Sequence, residues 1–348
     1  MTDRFLRACR REPTDCTPVW FMRQAGRSQP EYRALRERYA LLDICRTPEL
    51  CAQVTLRPVA QLGVDAAILF ADIALPLAGL GVAFDLVEGQ GPVISHPIRR
   101  DADVAALRPF EPERDVPYVL EAIRLVRGAS PVPLIGFAGA PFTLASYLIE
   151  GRGSRDCLLT RRTLLEAPAL WDRLMAHLTD ATLAYLRAQV AAGVQAVQVF
   201  DSWVGALAPS DYERAVLPHM RRLFDGLREL GVPTIHFGTG TAGLLRLMAQ
   251  AGGDVIGVDW RIRLDDAWAQ IGEAGIQGNL DPAALLAPFE VVERAARDIL
   301  AQAGGRRGHI FNLGHGVLPE TPVDHLRRLT DLVHHATLAS RVAGPSGR

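Results

Sequence analysis

The sequence predicts an α/β fold in which a parallel sheet is covered by helices. Short apolar runs rich in β-branched residues recur along the chain, each entered from a helix-stop glycine and left through a polar or glycine-rich loop. Helix-length stretches separate these runs, and strict alternation of the two is the pattern of a covered parallel sheet. No G-x-G-x-x-G follows the first strand, so an open doubly wound sheet, the rival architecture, lacks its dinucleotide-binding fingerprint.

Residues 19–22 (VWFM) form a short apolar run that leads into Arg23, Gln24, Ala25, Gly26 and Arg27, where a flexible glycine places two guanidinium groups on a loop. Pro30 suits the first position of a helix, and Glu31 in its first turn complements the macrodipole. Arg33 and Arg36, three apart, share a face of that helix. Four arginines between positions 23 and 36 predict a pocket for carboxylates or phosphates, because each planar fork binds an anion bidentately. The competing reading is a solvated basic face.

Thr47, Pro48 and Glu49 open a helix expected to run to Leu62 and to end at Gly63. A strand over 64–70 follows and closes on Ala71-Asp72. The same sequence of helix, glycine, strand and polar loop predicts strands at 132–137, 194–200, 232–237, 254–258, 276–279 and 309–313. An eighth strand falls best on 19–22, with 93–95 the weaker candidate. Residues 80–114, rich in glycine, proline and charge, read as an excursion between strands. Residues 344–348 read as a polar, disordered tail.

If the sheet closes into a barrel, its active site lies where the strands end. That rule selects Asp72 after ILFA, Asp201-Ser202 after VQVF, Gly238 after IHF, Asp259 after IGV and His315 after IFNLG. Each aspartate has the alternative of capping a helix. Asp72 fits that alternative less well, since Ile73, Ala74 and Leu75 run at once into Pro76. An acid at the end of an apolar strand has a raised pKa unless donors hold it charged. Tyr147, on a helix opened by Pro141, is a site candidate or a core tyrosine. His315 stands between Gly314 and Gly316, which would let backbone approach a ligand closely, or is an ordinary loop histidine.

Composition narrows the chemistry. Net charge is −1 over 348 residues, which gives no electrostatic basis for binding nucleic acid or a membrane surface. All 38 basic residues are arginine, so Schiff-base chemistry, pyridoxal phosphate attachment, a P-loop lysine and biotinyl or lipoyl attachment are excluded. Five cysteines without a C-x-x-C pair argue against a disulfide framework or structural zinc and fit a reducing cytoplasm. No signal peptide and no membrane-spanning run is read. There is no H-E-x-x-H, and the nine histidines are scattered.

The stretch 18–36 (PVWFMRQAGRSQPEYRALR) resembles the first signature of the uroporphyrinogen decarboxylase family, and 136–151 (GFAGAPFTLASYLIEG) resembles its second. The likeness runs to NLGHGV near the end, and Ser28-Gln29 departs from the family pattern of an aromatic and an aliphatic residue. The resemblance implies a single (β/α)8 barrel domain over 1–343 and a homodimer. It implies cofactor-independent removal of carbon dioxide from the four acetate side chains of uroporphyrinogen III, giving coproporphyrinogen III in haem biosynthesis. It also implies substrate contacts at Arg23, Gln24, Ala25, Gly26, Arg27, Asp72, Tyr147, Ser202 and His315, with Phe200 on the wall, and catalytic roles for Asp72, Arg23 and Tyr147. A related branch, the zinc-dependent corrinoid methyltransferases, uses a His-x-Cys ligand pair after a barrel strand. His236-Phe237-Gly238 lacks the thiolate, so no metal is expected.

Overall fold

A computed structural model describes residues 3–87 and 90–342. Seven parallel strands form one sheet in sequential order: β1 (Ala67–Ile68), β4 (Leu134–Gly139), β5 (Ala196–Asp201), β6 (Thr234–Gly238), β7 (Val255–Gly257), β8 (Gly275–Leu280) and β9 (His309–Leu313). A doubly wound sheet would reverse its order at a switch point, and this one does not. Helices follow the strands and cover the sheet from outside. Every residue of β4, β8 and β9 is buried, as expected where helices cover one face and the other fills a core.

Residues 18–20 close the ring. Val19 bridges Phe311 of β9 in parallel, with Phe311 N donating to Pro18 O at 2.9 Å. On the other side Asp65 N donates to Val19 O at 2.8 Å, just ahead of β1. Asp65 also accepts from Val19 N (2.7 Å), and it pairs with Arg4 (2.8 Å) and His334 (2.7 Å). The run 19–22 therefore occupies the eighth position as a single bridge rather than a full strand. The weaker candidate, 93–95, falls at the end of β3 (Gly91–Ile94), which pairs antiparallel with β2 (Phe84–Val87) outside the barrel. This hairpin belongs to the 80–114 excursion, which also holds the short helix Asp101–Ala105 and is tied to the helix Pro141–Glu150 through Ile98 N to Leu148 O (2.9 Å).

Two local expectations change. The helix Pro48–Leu62 has the expected bounds, with Gly63 left-handed at φ 66°. Thr47, however, donates its hydroxyl back to Asp43 O (2.8 Å) instead of capping the next helix. The strand expected over 64–70 shortens to two residues, because Asp65 is committed to the barrel seam and Phe70 N is taken by Thr55 Oγ1 at 2.9 Å. The barrel interior contains a polar chain: Trp20 Nε1 donates to Gln277 Oε1 (3.0 Å), and Gln277 Nε2 donates to Gln198 Oε1 (3.0 Å). Burial makes such amides costly unless paired, and here each finds a partner.

Candidate active site

Arg23 begins a tight loop with φ 61°, a left-handed conformation unusual for arginine. Gln24 builds that loop: its Oε1 accepts from Phe21 N (3.0 Å) and its Nε2 donates to Ala66 O (3.0 Å). Gln24 is fully buried and Ala25 nearly so, while Gly26 keeps some solvent exposure. Gln29, in place of the family's aliphatic residue, is buried and donates to Gln61 Oε1 (3.1 Å), so the local departure has a compensating polar partner.

In the structure Arg33 and Arg36 each spend one guanidinium nitrogen on main-chain carbonyls. Arg33 Nη1 donates to Arg27 O (2.9 Å) and Ser28 O (3.0 Å), and Arg36 Nη1 donates to Tyr39 O (2.8 Å). Their guanidinium groups support backbone, and Arg23 and Arg27 remain as loop cations. The reason is geometric: a helix that starts at Pro30 puts Arg33 beneath the loop it follows, where carbonyls are the nearest acceptors.

Asp72 follows β1, and its Oδ1 accepts from Ala74 N at 2.8 Å. A short helix, Leu75–Gly79, follows without a side-chain cap at its start. Its first turn is served by Ala74 and Pro76, and Asp72 makes an Asx turn ahead of it. Burial raises the Asp72 pKa, opposed by the Ala74 N–H and by Arg23. Arg23 in turn is depressed by burial while sensing Asp72, Arg27 and Tyr147. Solvent reaches Arg23, Asp72 and His315, yet each has its pKa shifted chiefly by burial. All three stand at the C-terminal end of the barrel.

Tyr147 is nearly buried and meets the Trp203 ring edge-on at 6.2 Å. Burial raises its hydroxyl pKa, with Trp203 opposing and Asp72 reinforcing the shift, so it stays protonated at neutral pH. Ser202 is joined to the next strand end by Thr239 Oγ1 donating to its carbonyl at 2.5 Å. Phe200 lies between Phe137 and Phe237 at 5.4 and 5.7 Å, an aromatic wall across β4, β5 and β6. His315 is held neutral, its pKa lowered to about 4 by burial and then by Arg23. Its flanking glycines serve protein packing: a Cβ on Gly316 would strike the Arg23 side chain, and one on Gly314 would come within 2.5 Å of Trp260 N.

Asp201 is no helix cap. It is fully buried, accepts from Thr143 Oγ1 (3.0 Å), and has its pKa pushed up by burial to about 7. Asp259, also selected by its place after a strand, accepts from Gly240 N (2.6 Å) and Arg261 N (3.0 Å) and pairs with the Arg261 guanidinium. His236 packs outside the barrel against Phe224 at 4.8 Å. Among the described residues no three His, Cys, Asp or Glu side chains are placed to hold a metal ion. Trp203 and Arg261 carried no motif of their own; only their position two residues after a selected strand-end aspartate could have found them.

A parallel barrel with two loop arginines and a half-buried carboxylate at the end where barrel active sites lie has the arrangement of an enzyme that takes an anionic small molecule. The family model described as uroporphyrinogen decarboxylase matches residues 1–336, and the chain belongs to that family. Proteins named uroporphyrinogen decarboxylase from Carboxydothermus hydrogenoformans and Thermus thermophilus are 56% and 59% identical, covering 98% and 96% of this chain and 98% of each relative. In fold, the chain is similar to a methyltransferase from Methanosarcina mazei (TM-score 0.78, 22% identity, 96% of this chain and 98% of that one). A B12-independent methionine synthase from a Shewanella species is more distant (TM-score 0.59, 12% identity, 84% and 89%).

Proposed function

We propose that this chain decarboxylates uroporphyrinogen III to coproporphyrinogen III in haem biosynthesis, acting on the four acetate side chains without a cofactor. Losing carbon dioxide from an acetate leaves an electron pair that needs a sink. The electron-rich pyrrole supplies one itself: protonation at a ring carbon gives an iminium-like cation that accepts the pair as the C–C bond breaks. The protein's task is then to bind the polyanion, centre the ring and favour the cation. Asp72 accepts the pyrrole N–H groups and stabilises the developing positive charge, a preorganised electrostatic role. Burial raises its pKa, opposed by the Ala74 N–H and by Arg23, and bound pyrrole N–H groups would oppose that rise further.

Arg23 and Arg27 receive substrate carboxylates at the loop, with the main chain of Gln24, Ala25 and Gly26 beside them. Tyr147 donates its hydroxyl, Ser202 and the neutral His315 orient the ring's periphery, and Phe200 supplies apolar wall. The observation that carries the reading is the placement of Asp72 among Arg23, Tyr147 and His315 at the strand ends. The domain is read as 1–343; residues 344–348 lie outside the described residues. No helix among the described residues is long and apolar enough to cross a membrane. A cytoplasmic homodimer is the form the cysteine pattern and the resemblance support. The test is anaerobic incubation with uroporphyrinogen III. Stepwise appearance of products with fewer carboxyl groups, ending at coproporphyrinogen III, supports the reading, and recovery of unchanged substrate contradicts it.

A further inference from the structure

The anionic substrate places a carboxylate on every side chain, whereas two of the four arginines of 23–36 are committed to backbone carbonyls. We infer that Arg261 is a further substrate-binding residue, receiving a substrate carboxylate on the side of the mouth opposite Asp72's own loop. This rests on the proposed function, since it concerns the same substrate.

Arg261 follows β7, and so stands at the end of the barrel where the other site residues lie. Its side chain is fixed twice. The guanidinium stacks over the Trp260 ring at 4.1 Å, and Nη1 pairs with Asp259, which is itself buried. Asp259 already accepts from Gly240 N (2.6 Å) and Arg261 N (3.0 Å), so its charge is partly met by main chain before the guanidinium is counted. Half of the Arg261 side chain remains solvent-exposed (52%). A fork held on an aromatic face with an edge left in water is preorganised for a second anion, because little rotamer freedom is lost on binding.

The position relative to the rest of the site follows from packing. Gly314 lies against Trp260 and Gly316 against Arg23, so His315 stands between the two arginines. Burial keeps His315 neutral, with Arg23 and Arg261 adding to that and Asp259 opposing it. Arg23, His315 and Arg261 thus form a continuous strip, cationic at its two ends.

The experiment measures kcat, KM and Tm for Arg261→Ala and Arg261→Lys with uroporphyrinogen III. The alanine variant should raise KM about ten-fold or more, the loss of one charge-assisted contact, with the effect falling mainly on KM. The lysine variant, which keeps the charge beside Asp259 but loses the fork, should lie between. Added salt should narrow the gap between wild type and alanine. A folded Arg261→Ala protein with KM within about two-fold of wild type overturns the inference. If Arg261→Ala loses stability, Arg261→Lys decides: raised KM at wild-type Tm supports the contact, and unchanged KM removes it. Failure of the wild type to turn over uroporphyrinogen would contradict the functional reading instead. Equilibrium binding of uroporphyrin would then judge Arg261 alone, and equal affinity in wild type and alanine variant would overturn it.

Discussion

Gly316 lies against the aliphatic stem of Arg23, so closely that a Cβ at 316 would occupy the place of Arg23 Cγ and Cδ. The glycine in NLGHGV thereby sets where the first loop arginine can stand. Gly316→Ala is expected to displace Arg23 and raise KM for uroporphyrinogen, with a smaller change in Tm because 316 lies in a loop. Kinetics beside a melting curve check this; unchanged KM would mean that Arg23 swings clear at no cost.

Arg27→Lys keeps the charge and removes the planar fork. Losing one charge-assisted bidentate contact should cost about 1.5 to 3 kcal/mol of substrate binding, read as raised KM at wild-type Tm. Wild-type kinetics would make Arg27 a surface group.

Asp65 accepts from Val19 N and pairs with Arg4 and His334, and so joins the first segment and the last helix to the start of β1. Asp65→Ala leaves three donors without that carboxylate at the barrel seam. A loss of about 3 kcal/mol or more is expected, measured by denaturant unfolding. A variant as stable as wild type would show that the seam is held by backbone bonds alone.

Asp201 tests the consequence of burial. Its folded pKa of about 7 stands above the ordinary 3.8, so the folded protein holds a proton that the unfolded chain has released. This group's stability contribution is full below the ordinary value and is lost as pH rises toward 7. Asp201→Asn removes that dependence. Its stability relative to wild type should increase between about pH 4 and pH 7 and level off above. Chemical unfolding at a series of pH values reads this out, and a difference independent of pH would mean that Asp201 is ionised throughout.

The strand positions were legible because glycine stops and β-branched runs are local signals, and β9 was read to the residue as 309–313. Strand lengths near the seam were not, since β1 is short for a reason that lies elsewhere: Asp65 bonds Val19, far away in sequence. Which residues stand just past the strand ends was legible, because the strands themselves were. The destination of Arg33 and Arg36 was not, because spacing reports which residues share a face and not which carbonyl lies beneath it. The glycines around His315 were read as room for a ligand, and they are room for Arg23 and Trp260. Arg261 depends on Trp260 and on the already satisfied Asp259, a relationship visible only in three dimensions.

In the proposed reaction Asp72 stabilises a cationic intermediate. Asp72→Asn keeps the shape and keeps an acceptor for Ala74 N, while removing the charge and placing an amide donor toward the pyrrole N–H groups. Ground-state binding should fall modestly, and turnover should fall much further, because the lost term grows as charge develops in the transition state. The decisive measurement is turnover of uroporphyrinogen III by Asp72→Asn at saturating substrate, with Tm measured on the same sample. The expected result is a folded protein of near wild-type Tm whose turnover is lower by about 100-fold or more. A folded Asp72→Asn protein with undiminished turnover would contradict it, leaving Asp72 as a turn residue ahead of the helix Leu75–Gly79.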